Sequence, residues 1–369
     1  MINARSIPKR VAVNQSDPSV TDEACGMYAG AALLFSYSGV SFGIGRRMLA
    51  RAERLIRDGS AKDVFVYRAM RFLHYYLEGD WDESHVIDDE LVSQMLRYGQ
   101  LWDVNMYLGV RCERLIHEGG FETASTLTQN LAEIGNVYGL DFALANYQYA
   151  MALLLLEQRR LASALEAAEL YYTARREELV NLLALGLQAK IHALRGDREA
   201  AIATLAKVDE GRRRAVAIPP YYCSVSLMAR CILDVAAFED AVAAGGASRA
   251  LAGQARKSAR NAVKIAAKAA WERTEAYRLN GRLLWLLGKQ DQALQWWSRS
   301  ISEGERLGAR PELARTYMEV GTRLAEDRSK HRELAGVDAA TYLEKSRALF
   351  AAMGLDWDLE RATHNRRAA

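Results

Sequence analysis

The sequence predicts an all-α chain, an α-solenoid built from stacked helical hairpins, on three observations. Gly39, Gly79 and Gly119 stand forty residues apart, Arg159 continues the interval, and Gly196, Gly246 and Gly288 follow at gaps of 37, 50 and 42. A repeat of this length marks supersecondary units that bury their apolar faces only against their neighbours. Proline is nearly absent: none lies between Pro18 and Pro219, or between Pro220 and Pro311, so long runs are free to be helix. Half of the 369 residues are hydrophobic, which is ample for a continuous core.

Each marker is read as the turn within one hairpin. Glu78-Gly79-Asp80, Arg195-Gly196-Asp197 and Leu287-Gly288-Lys289 place glycine where a left-handed helix end is wanted. Seven residues before the markers lies a mostly small column of Ala32, Phe72, Cys112, Ala152, Ala189, Gly281 and, in the last unit, Gly321. Five residues after them lie Ile44, Ser84, Ala124, Ala164, Ala201 and Ala293. Small side chains let paired helices approach closely. A third, larger column holds Met48, Thr128, Ala168, Leu205 and Trp297, broken by Asp88. Two small columns and a larger apolar one give a tetratricopeptide-like pattern with longer helices, read as a right-handed superhelix of about eight hairpins.

The divisions follow. Residues 1–20 are expected to be extended or disordered, and 21–216 to hold units one to five. Residues 217–270 form an irregular sixth unit, with Pro219-Pro220 at its start and an Ala/Gly-rich turn over 241–248. Residues 271–360 hold units seven and eight, and 361–369 form a poorly ordered tail. Unit six is expected to carry a loop or a break of curvature.

Composition removes several function classes. A formal net charge of +3 gives no general drive towards nucleic acid or anionic membrane. Cys25, Cys112, Cys223 and Cys231 form no CxxC pair, and the first 25 residues lack the apolar centre of a signal peptide. A cytoplasmic protein without a membrane span is expected. No P-loop is present, and Gly43-Ile44-Gly45 supplies only two glycines of a dinucleotide fingerprint with no strand before it. The six histidines form no HxxxH pair, and Asp88-Asp89-Glu90 reads as a solvated helix face. No enzyme, metal or cofactor is expected.

The final third carries a family resemblance. The stretch Trp271-Glu272-Arg273-Thr274-Glu275-Ala276-Tyr277-Arg278 leads through Trp285-Leu286-Leu287-Gly288-Lys289 to Ala293-Leu294-Gln295-Trp296-Trp297. After it come Glu305-Arg306-Leu307-Gly308-Ala309-Arg310-Pro311-Glu312 and Tyr342-Leu343-Glu344-Lys345-Ser346-Arg347. This resembles the C-terminal tetratricopeptide array of large bacterial signalling ATPases, which can also carry a cyclase or kinase domain. The resemblance is closest over 255–360 and looser over 62–210. It implies a sensor or partner-binding arm for signal transduction, found here as a stand-alone array, an excised segment or one subunit of a split system.

The leading expectation is a non-catalytic scaffold or regulatory arm that binds a protein or peptide in its concave groove. That partner could be an ATPase or enzyme subunit of the same system. The alternatives are a ligand-sensing domain of a signalling ATPase and a helper subunit of a larger enzyme complex. By register the first helix of each hairpin lines the groove, giving Met106, Gly109 and Glu113 in unit three and Asn146, Tyr149 and Leu153 in unit four. Unit seven gives Glu275, Arg278, Arg282 and Trp285, an aromatic and arginine mix suited to a hot spot, with packing of Trp285 between units as the equal alternative. The positions that would clamp a C-terminal carboxylate (Arg71, Val110, Ala150, Leu187 and Leu279) lack the required lysine and asparagine. A cationic stripe of Arg256, Lys257, Arg260, Lys264 and Lys268 recurs at three- and four-residue steps. It has no interleaved aromatics for base stacking, so it reads as a solvated face or an acidic-partner contact before a nucleic-acid one.

Overall fold

The fold is described by a computed structural model over residues 23–174, 177–215, 217–246 and 248–364. The described residues are overwhelmingly helical. Helix α1 (Ala24–Tyr37) packs on α2 (Phe42–Glu53), α3 (Ala61–Glu78) on α4 (Asp89–Arg97), and α5 (Leu101–Glu118) on α6 (Phe121–Tyr138). The pairing continues with α7 (Asp141–Glu157) and α8 (Leu161–Ala174), then α9 (Glu178–Arg195) and α10 (Arg198–Arg214). Next come α11 (Pro220–Ala243) with α12 (Arg249–Ala266), and α13 (Arg273–Leu286) with α14 (Gln290–Leu307). Last are α15 (Arg310–Leu324) with α16 (Ala339–Ala352), against which α17 (Asp356–His364) packs. Odd-numbered helices α1 to α15 also touch one another in succession, so they form a common layer.

The turn chemistry follows the forty-residue markers. Gly39, Gly79, Gly119, Gly196 and Gly288 all have positive φ. In the irregular unit the left-handed residue is Gly245, one place before the expected Gly246. Arg159 adopts φ 59° without being glycine, and its buried guanidinium lies 3.9 Å from Glu312. The small columns sit at helix crossings: Ala32, Cys112, Ala152 and Ala189 are fully buried, as are Ala124, Ala164, Ala201 and Ala293. A Cβ on Gly281 would lie 2.4 Å from the Trp297 indole nitrogen, so only glycine admits that ring.

Unit two departs from the pattern for a local reason. A one-turn 3-10 helix, Glu83–His85, and a short loop precede α4, so Ser84 lies outside the helix pair. Asp88 is the N-cap of α4, its carboxylate accepting from the Leu91 amide, and Asp89 and Glu90 fill the first turn. The acidic cluster is thus a helix start and not a mid-helix face. Unit six is lengthened and not broken: α11 opens with Pro220 in its first turn and runs 24 residues, the longest helix described. It is also long and apolar enough to cross a membrane by length and composition. Here it is a core helix, lying against α9 and α12 with Met228, Ala229 and Cys231 fully buried.

The array does not remain one-dimensional. Gly39 lies against Pro220 and Lys268, Gly79 against Ala270 and Arg273, and Gly119 against Pro311 and Met353. The turns of units one to three therefore stack on the starts of units six to eight. Arginines from the later units cap the C-terminal carbonyls of the earlier helices. Arg273 donates to Glu78 O at 2.8 Å, Arg306 to Gly79 O at 2.7 Å, Arg310 to Glu118 O at 2.7 Å and Arg315 to Glu157 O at 2.7 Å. These are carbonyls a helix cannot satisfy internally, and the cation sits at the negative end of the helix dipole. The expectation that each unit contacts only its neighbours is overturned.

At the C-terminal end a two-strand hairpin, β1 (Glu333–Leu334) and β2 (Val337–Asp338), leads into α16. Helix α17 continues to His364, so the first part of the expected disordered tail is helical. Residues 365–369 and 1–20 lie outside the described residues.

Candidate functional site

Two internal regions gather the side chains that the sequence pointed to. The first is a cavity of about 370 Å³ enclosed by α1, α3, α5, α7, α8, α9 and α11. Glu113, Asn146 and Tyr149 all line it, with Met106 and Gly109, so the groove register from units three and four brings these residues together. Its walls carry the rings of Tyr37, Trp102, Phe142, Tyr171, Tyr221 and Tyr222. Leu34 is 69% exposed and Trp102 55%, whereas Glu113 is 4% exposed, which gives the cavity a mouth and a floor.

The floor is built by hydroxyls. Tyr221 Oη donates to Glu113 Oε1 at 2.5 Å, and Tyr76 Oη donates to Oε2 at 3.2 Å. Tyr76 is held by rings on both sides, stacked on Trp271 at 5.0 Å and on Trp81 at 5.7 Å. Tyr221 stacks on Tyr37 at 5.0 Å. Burial lifts the Glu113 carboxyl to about 7, and the two hydroxyls only partly offset that. Burial also keeps Tyr37, Tyr76, Tyr149 and Tyr221 protonated well above the usual phenol range. On the wall, Asn146 Nδ2 donates to Asn105 Oδ1 at 2.5 Å.

The second region is an ionic seam beyond that floor. Lys190 meets Glu275 at 2.6 Å, Glu275 meets Arg278 at 3.4 Å, and Arg278 meets Glu312 at 2.9 Å. Arg315 then joins Glu312 at 2.8 Å, Glu157 at 2.6 Å and Asp358 at 2.9 Å, with Arg159 3.9 Å from Glu312. Lys190, Arg159, Arg278 and Arg315 thus face Glu157, Glu275, Glu312 and Asp358, four charges of each sign. Burial alone would raise Glu157 and Glu312, but the surrounding guanidinium groups hold both below the ordinary carboxylate value.

The unit-seven residues expected on an open wall belong to this region. Glu275 and Arg278 are in the seam. Arg282 reaches Glu239 at 2.6 Å and Glu319 at 3.7 Å. Trp285 is 2% exposed, tilted against Trp297 at 5.4 Å, and donates to Glu326 Oε2 at 2.9 Å. What stands opposite these side chains is the chain itself. An accessible hot spot at Trp285 is therefore set aside.

The cationic stripe divides between two sides of α12. Lys257, Lys264 and Lys268 line a polar recess of about 780 Å³ beside Pro220, with Arg212, Arg230, Asp209 and Asp234. Arg256 and Arg260 face away, towards Trp296 and Lys289. Helix geometry accounts for the split, because positions 257, 264 and 268 share a face that 256 and 260 do not. Arg230 is neutralised by Asp209 at 2.7 Å.

The tyrosines of α1, α8 and α11 were missed as wall residues. Tyr221 and Tyr222 directly follow Pro219-Pro220, and Gly30, Leu33, Leu34 and Tyr37 follow the one-face helical spacing that could have found the α1 contribution. Among the described residues no group of three or more histidine, cysteine, aspartate or glutamate side chains is arranged to hold a metal ion. Compared with protein-family models and with curated proteins, the chain matches none.

Proposed function

We propose that the chain is a non-catalytic recognition module, a right-handed superhelix of eight tetratricopeptide-like hairpins that binds a peptide segment of a protein partner. It would serve as a scaffold or regulatory arm in the cytoplasm, where its four buried cysteines stay as thiols. One observation carries the reading: wall residues from two successive hairpins, Glu113 on α5 and Asn146 and Tyr149 on α7, converge on a single aromatic-lined cavity. Its volume lies within the ~300–1,000 Å³ common for small-ligand sites, and one or two side chains of a peptide fit that scale. Preformed aromatic rings give contact area at little entropic cost.

The test is selection of a random peptide library on the immobilised full chain, repeated on Gly109→Leu. Gly109 is on the cavity wall, where an added Cβ meets only the Asn146 amide at 3.7 Å, so a side chain can start there without a backbone clash and leucine is expected to take up cavity space. Peptides enriched at least tenfold on the native chain and lost on the variant are expected. No enrichment, or equal enrichment on both, removes the reading.

A further inference from the structure

Among the described residues Glu113 and Glu272 are both buried without an ion-pair partner, Glu272 accepting from the Ser224 hydroxyl at 3.0 Å, but of the two only Glu113 lines the cavity. Glu157, Glu275, Glu312 and Asp358 each have a guanidinium or ammonium partner within 2.9 Å. Glu113 has two tyrosine hydroxyls and no cation among the described residues. The side chains facing it are Tyr37 from α1, Tyr76 from α3, Tyr149 from α7 and Tyr221 from α11, with Glu272, in the one-turn 3-10 helix Ala270–Glu272, close enough to act on Tyr76. None of these can supply a positive charge. A desolvated carboxylate without a counter-charge is costly, and the fold removes that cost everywhere along the seam but not here.

We propose that this cavity binds an organic cation, the ammonium or guanidinium head of a ligand side chain, against the Glu113 carboxylate. Three features support it together. The carboxylate is at the floor of a cavity and lines it. The rings of Tyr37, Tyr149, Tyr221 and Tyr222 line the same space, and aromatic rings attract cations most strongly where water is excluded. The tyrosine hydroxyls fix the carboxylate orientation while leaving acceptor capacity on both oxygens. Burial has raised the Glu113 carboxyl, and an arriving cation would favour its ionised form, so binding and ionisation reinforce each other. The peptide reading above supplies the source of the cation, but the site itself does not depend on it.

The experiment is calorimetric titration of the full chain with butylammonium, butylguanidinium and the neutral alcohol 1-pentanol. At least one cation is expected to bind at least tenfold more tightly than pentanol at pH 8. Glu113→Gln removes that preference, and Gly109→Leu weakens both cation and alcohol. Between pH 6 and pH 8 cation affinity of the native chain rises severalfold as Glu113 ionises, while pentanol affinity stays level; the four tyrosines remain protonated throughout. This second measurement decides the matter if Glu113→Gln does not fold. No cation binding, equal binding of cations and pentanol, or cation binding unaffected by both Glu113→Gln and pH overturns the inference. Enriched peptides without lysine or arginine that Gly109→Leu blocks would overturn it while leaving the peptide reading intact. Butylammonium bound in the cavity with no peptide enriched would do the reverse.

Discussion

The seam and the cavity are adjacent regions that treat buried charge in opposite ways. Along the seam each carboxylate from α7, α13, α15 and α17 meets a basic side chain, and the signs balance. In the cavity Glu113 has only hydroxyl partners. A balanced network has its partners built in and holds elements together. An unbalanced carboxylate beside open space keeps a valence for something else. The contrast separates residues that build the molecule from residues free to recognise, although the two sets share one helical layer.

Breaking the balance at its centre gives the largest effect. Arg315→Met leaves Glu157, Glu312 and Asp358 buried with too little positive charge, and a loss of about 3–5 kcal/mol in urea unfolding is expected. A loss below about 1 kcal/mol would mean the seam does not hold the array closed. Lys190→Met acts at the end of the network, where Glu275 keeps Arg278 at 3.4 Å, so a smaller loss of about 2 kcal/mol is expected in the same assay. If the two variants are equally costly, position in the network is irrelevant.

The cavity responds in the other direction. Glu113 and Glu272 are both raised to about 7 in the folded chain. Groups raised in this way contribute stability below their unfolded value that is lost as pH rises through about 7. Glu157, Glu312 and Glu319 are held low, so their contribution is present above the unfolded value and lost on acidification. Glu113→Gln should flatten the loss on the alkaline side and stabilise the chain at pH 8 by about 1–2 kcal/mol, read from melts across pH 5–8. A variant that melts lower than the native chain at pH 8 would contradict the contrast.

Local periodicity made the helical part legible. Turn positions, small crossing columns and groove direction depend on residues within one hairpin or its neighbour, and Gly79, Ala152 and Glu113 carried that information. Asp88 showed how one inserted turn shifts the register while the interval is kept. What could not be read was which side chains stand opposite one another once the units pack, whether in adjacent units (Arg278 with Glu312) or in units two or more apart (Lys190 with Glu275). Nothing in the spacing of Glu275 and Arg278 says that Lys190 and Glu312 stand opposite them, so buried ion pairs looked like an accessible hot spot. The same ignorance hid Tyr221, whose partner Glu113 lies 108 residues earlier.

The arginine caps linking late units to early helix ends have a consequence for how the chain folds. An open stack can grow or fray one hairpin at a time from either end. Here α3 receives its terminal hydrogen bonds from residues 195 and 227 positions downstream, and α5 from one 192 downstream. Contacts of that sequence separation come with a large loop-closure cost, and they form only when most of the chain is present. The molecule should therefore unfold in one cooperative step, with amide protection as high in α3 as in α13, and a chain cut after residue 270 should lose order at both ends.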